Sequence, residues 1–267
     1  MKKNLALVIA LALPLCAQAT FPGSPHLDAA IEEAIARDQI PGAVCLAGKV
    51  EPDGRLTVLH FRAYGNRALA PQREAMTTDT IFDAASLTKV VATSASLMKL
   101  FEQGKVRLND RVTEYLPRFQ GGKSDITVRH LLTHFSGLRE DLDLEPAWSG
   151  YETGVEKALV DPPIAEPGQR FIYSDINFIL LGEIVRVVSG RPLDQFAREE
   201  VFEPLGMKET TFNPPAEWIP RIAPTEIVNG KLLRGTVHDP TTRYMGGVAG
   251  HAGMFTTAED LARVLAA

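Results

Sequence analysis

The chain has 267 residues, 45% of them apolar and 23% charged, with a formal charge of −5, the make-up of an ordinary globular protein. It contains no lysine- or arginine-rich run, no internal repeat and no low-complexity tract, so nucleic acid is not expected as a partner.

The elements follow in chain order. Lys2 and Lys3, the apolar run Leu5 to Leu15 and the small residues Ala17-Gln18-Ala19 have the layout of a secretory leader over residues 1–19. The run is too short to cross a bilayer as a helix. Cleavage after Ala19 predicts a periplasmic or secreted chain over residues 20–267 with no transmembrane segment. Losing Lys2 and Lys3 takes the charge from −5 to −7. Losing Cys16 leaves Cys45 alone, so no internal disulfide forms, and Cys45 in an apolar stretch without basic neighbours reads as a small core residue. Asp28 to Asp38 has helical periodicity and stops at Pro41-Gly42. Ala43 to Val50 and Leu56 to Tyr64 read as strands of a hairpin turned by Glu51-Pro52-Asp53-Gly54. Beyond Ser86 the pattern is mainly helical: Leu87 to Gln103, ended by Gly104; a short helix from the Thr127 cap through Leu132; a long one from the Ser174 cap through Val188, closed by Gly190; Pro192 to Phe202; and a last helix capped by Thr257. The order implies an α+β layout whose sheet needs more than these two strands, with none evident after Tyr64.

Ser86-Leu87-Thr88-Lys89 sets a hydroxyl and an amine three residues apart, on one face of a helix near its N-terminus. The pair reads either as an activated serine or as a helix cap. Ser96-Leu97-Met98-Lys99 repeats the spacing in mid-helix, where a serine meets only neighbouring turns. Tyr173, just before the Ser174 cap, is a second candidate base; a phenol needs a nearby cation such as Lys89 for that work. The alternative for Tyr173 is a hydrophobic staple onto Phe178. His130 and His134 have the spacing of two metal ligands on a helix, but Leu131 stands where a zinc hydrolase carries glutamate. His251 lies in the glycine-rich loop Gly246 to Gly253, and His238-Asp239 reads as a surface-loop pair.

Taken in order, Ser86-Leu87-Thr88-Lys89, Thr127 to Leu138 (TVRHLLTHFSGL), Glu166-Pro167-Gly168 with Tyr173-Ser174-Asp175, and Glu203-Pro204-Leu205-Gly206-Met207 resemble the serine β-lactamase and penicillin-binding-protein superfamily. The nearest branch is that of class C β-lactamases, D-alanyl-D-alanine carboxypeptidases and esterases. The resemblance implies an antiparallel sheet flanked by helices beside a mainly helical region. It implies Ser86 as acylated nucleophile, Lys89 as its proton partner and Tyr173 as base, with no cofactor and no metal. Asp175 stands where the family's second motif has asparagine. It is expected to hold Lys89 as an ammonium and to take part in substrate binding, and His251 is a further substrate-binding candidate. His251-Ala252-Gly253 superficially resembles the family's third motif, yet the segment running on to Arg263 resembles the one that precedes that motif. The expectation is a domain whose C-terminal strands lie beyond Ala267. The implied function is an exported serine hydrolase of esters, D-alanyl peptides or β-lactams; the alternative is a non-catalytic binder of penicillin or peptidoglycan peptides.

Overall fold

The computed structural model describes residues 21–267; the expected leader lies outside the described residues. Helix α1 (Ser24–Ala36) packs on the hairpin of β1 (Gly42–Val50) and β2 (Leu56–Ala68). The turn is the expected one: Glu51 accepts the Gly54 N–H at 2.9 Å, and Gly54 takes φ +82°, a conformation that suits glycine. The strands pair antiparallel from Gly42 with Gly65 to Val50 with Leu56, with a bulge at Ala47/Gly48. The two-residue strand β3 (Glu74–Ala75) adds to β2, so β2 runs past the expected Tyr64 end.

Next come β4 (Phe82–Asp83), a π-helical stretch Lys89–Ser94 running into α2 (Ala95–Glu102), α3 (Val112–Tyr115), α4 (Val128–Leu132), α5 (Tyr151–Val160) and α6 (Asp175–Ser189). Helix α7 (Leu193–Ala197) continues as a second π stretch through Phe202. It is followed by β5 (Thr211–Phe212), the hairpin β6 (Ile227–Val228) and β7 (Lys231–Leu232), α8 (Pro240–Tyr244), β8 (Met254–Thr256) and α9 (Ala258–Ala266). The strands missing from the sequence reading are β3, the small sheet β4-β8-β5 and the hairpin β6-β7. At two or three residues each they carry no periodicity to read.

Helix α6 is the centre of the helical region. Its residues Ile176 through Val185 are all buried, the signature of a helix covered on every side. It packs against α2, α4, α5 and α7. Ser174 accepts the Asn177 N–H as its cap, and Gly190 closes it in the left-handed conformation at φ +74°, both as the sequence implies. Asn177 accepts the Ser136 hydroxyl at 2.6 Å and donates to the Leu131 carbonyl at 3.0 Å, which locks the segment after α4 onto the start of α6. No helix among the described residues is long and apolar enough to cross a membrane. Cys45 is free and half-buried, and burial, with the Asp28 charge behind it, pushes its thiol up, away from nucleophilic character.

Candidate active site

Ser86 sits in the turn between β4 and the first π stretch. The Ala84 N–H donates to the Met254 carbonyl at 2.9 Å, and the Ala85 N–H donates to Asp83 Oδ1 at 2.9 Å. Ala85 then takes φ +45°, a left-handed conformation that costs an L-residue about 1 kcal/mol. This turn leaves Ser86 exposed at the head of the helix. The Ser86 carbonyl accepts the Lys89 N–H at 3.0 Å, and its own N–H has no acceptor among the described residues.

Lys89 is 3% exposed. Its Nζ donates to Ser86 Oγ at 2.9 Å and to the His251 carbonyl at 3.1 Å, and it pairs with Asp175 Oδ1 at 2.6 Å. Two of these contacts are hydrogen bonds, and Asp175 is an ion-pair partner. Asp175 reaches the pair from the first turn of α6, with its N–H donating to the Glu140 carbonyl at 2.6 Å. Tyr173 lies on the outer side, 45% exposed, with its ring centroid 4.9 Å from Lys89 Nζ. Ser86, Lys89, Tyr173 and Asp175 are thus brought together.

The His134 ring stacks on Tyr173 at 4.4 Å and packs on Phe178 at 5.3 Å, so it occupies the place the staple reading gave to Tyr173. His130 does not join it. Its Nδ1 accepts the Thr127 N–H at 3.3 Å, completing the α4 cap, while α4 ends at Leu132 and His134 takes φ +60°. The two imidazoles therefore do not share a helix face, and the metal pair suggested by their spacing does not form.

His251 enters the site through its main chain. The ring is fully buried, its Nε2 2.8 Å from Asp239 Oδ1 and 2.9 Å from Thr242 Oγ1, and the group His251 turns toward Lys89 is its backbone carbonyl. Asp239, expected as a surface residue, is the main omission of the sequence reading: it caps α8 by accepting the Thr242 N–H at 2.6 Å and anchors His251. Burial alone would raise its carboxyl, but the His251 hydrogen bond and charge hold it well below the usual carboxylate range. Nearby Asp141, accepting from Thr241 at 2.9 Å, is pushed up by burial. The loop can approach so closely because of Gly250, where a Cβ would stand 1.9 Å from the Phe178 carbonyl. Donor atoms of Asp175, Asp239 and His251 lie within 4.8 Å of one another, the make-up of a cation site, but the Lys89 ammonium already serves Asp175 as its positive partner.

Residues 27–267 match the family model described as Beta-lactamase. The protein named "Putative D-alanyl-D-alanine carboxypeptidase" of Escherichia coli K12 is 34% identical over 232 residues, which are 75% of this chain and 53% of the relative; the chain thus spans about half the length of the curated relatives it matches. Among solved structures, the octameric penicillin-binding protein homologue from Pyrococcus abyssi aligns with a TM-score of 0.72 at 27% identity, over 91% of this chain and 55% of that one. A class C β-lactamase from Rhodobacter sphaeroides aligns with a TM-score of 0.71 at 26% identity, over 91% and 64%. The fold is β-lactamase-like, as the motif resemblance implies.

Proposed function

The chain belongs to the Beta-lactamase family, and from that premise we propose that it is an exported serine hydrolase acting through an acyl-enzyme on D-alanyl peptides or small esters. The observation that carries the reading is the exposed Ser86 hydroxyl 2.9 Å from the Lys89 ammonium. Ser86 attacks the substrate carbonyl, forming the C–O bond of a tetrahedral intermediate, and collapse of that intermediate expels the alcohol or amine. The free Ser86 N–H is one donor for the oxyanion. Lys89, buried and paired with the Asp175 carboxylate at 2.6 Å, serves as a positive charge and hydrogen-bond donor to Ser86 and not as the proton acceptor. That leaves Tyr173, beside the same cation, as the base that takes the serine proton and returns it to the leaving group.

An active-site acylating probe tests the reading. Mass spectrometry should find the adduct on Ser86 and lose it in Ser86→Ala. Label on Ser96, or label surviving Ser86→Ala, overturns the assignment. With a chromogenic ester, continuing turnover supports a hydrolase, whereas one stoichiometric burst makes the protein an acylated receptor.

A further inference from the structure

We propose that His134 is a positioning residue for Tyr173, holding the phenol in place through a hydrogen bond that requires a neutral imidazole; this rests on the reading of Tyr173 as base. His134 contacts the Tyr173 segment at three points. Its carbonyl accepts the Ile172 N–H at 2.9 Å, its Nδ1 accepts the Ser174 N–H at 3.0 Å, and its ring stacks on the phenol ring at 4.4 Å with 27° between planes. The residues on both sides of Tyr173 are thus tied to one residue, Ile172 to its carbonyl and Ser174 to its imidazole, and the ring between them is supported from one face. Tyr173 needs this support because nearly half of it is open to solvent. The φ of +60° at His134 is what turns the imidazole out of the α4 register and toward residues 172–174.

The acceptor role fixes the protonation state. A neutral ring with hydrogen on Nε2 presents the Nδ1 lone pair to Ser174; a doubly protonated ring has none. The groups acting on His134 are Lys89 from the nucleophile helix and Asp175 from α6. Burial first, then the Lys89 charge, hold the imidazole below its ordinary value, with Asp175 opposing them. At neutral pH the ring is therefore uncharged and the tether intact. As pH falls through that lowered value, the Ser174 bond breaks and a second cation arises beside Lys89, so the rate falls on the acid side.

Two variants separate the ring from the acceptor. His134→Phe keeps a stacking ring and removes the acceptor; kcat for a chromogenic ester should fall roughly 10- to 100-fold with KM within about twofold, the loss expected from a misplaced catalytic group. Asparagine tolerates positive φ and places an untitratable oxygen near the Nδ1 position, so His134→Asn should recover most of that loss and abolish the acid limb of the wild-type profile. Independently of turnover, the 15N shift of the Ser174 amide should move with the His134 ring titration, in the wild type and in Tyr173→Phe alike. Equal kcat in wild type and His134→Phe, an acid limb unchanged in His134→Asn, or a Ser174 shift flat across the ring titration each overturns the inference. Full activity of Tyr173→Phe overturns the base reading instead, and would be seen with the Ser174 titration intact.

Discussion

Ser86 and Lys89 stand three residues apart at the mouth of a helix, and Ser96 and Lys99 stand three apart one stretch further along it. The first serine is exposed, and its lysine is buried with two hydrogen-bond acceptors and a carboxylate partner. The second is the reverse: Ser96 is fully buried with no partner for its hydroxyl, and Lys99 lies in solvent, 3.3 Å from Glu102. Spacing is common to both. What differs is the surroundings: the left-handed turn at Ala85 that presents one hydroxyl, and two distant segments that converge on one ammonium. The same spacing one helical stretch away therefore packs in the opposite sense, its hydroxyl buried and its amine exposed.

Perturbing the two pairs tests this difference. Ser86→Ala should produce the largest effect, a loss of turnover on the order of 10⁴-fold or more, as for other nucleophile knockouts; Ser96→Ala should leave ester turnover within twofold, and a comparable loss there would erase the distinction. Tyr173→Phe should lower kcat by roughly 10²–10⁴, the span of a general base, with its melting temperature unchanged. Lys89→Met leaves the partly buried Asp175 carboxylate without its cation, and chemical denaturation should show a loss of about 2 kcal/mol. Lys99→Met removes an exposed pair, and its change should stay below about 0.5 kcal/mol. Ser96→Ala should have the opposite sign: it removes a buried hydroxyl that bonds to nothing and should stabilise the fold by about 1 kcal/mol. The Asp239–His251 pair adds a pH arm. A carboxyl held low in the folded state contributes stability above its unfolded value, and that contribution is lost as pH falls through the folded one. Asp239→Asn should accordingly flatten the acid side of the melting profile.

Local chemistry made most of the long elements legible. The hairpin could be read from its turn, α6 from its Ser174 cap and Gly190 terminus, and α9 from Thr257, because each signal lies within a few residues of the element it marks. The observed α1 starts earlier than its periodicity implies, since Pro25 can occupy the first turn without a hydrogen bond to lose. The strands of the second sheet could not be read: Phe82 pairs with Thr256 and Thr211 with Phe255, contacts that no local window contains. The same holds at the site. Ser86, Lys89, Tyr173 and Asp175 were found by motif, whereas Asp239 looked like surface and His134 like half of a metal pair. Their actual partners, His251 and Tyr173, are supplied by tertiary packing.

Lys89 donates to the His251 carbonyl across a sequence separation of 162 residues. Its nitrogen is a knot at which three remote stretches of chain are gathered, and a knot of this kind exists only when all its threads are present. Local opening of the glycine-rich loop would undo the nucleophile's surroundings as surely as losing the nucleophile helix. Assembly of the reactive centre is thereby tied to the slow, non-local closure of the chain. Partly folded forms that retain native helices would carry Ser86 without the Asp175 and His251 groups that meet Lys89 in the folded chain.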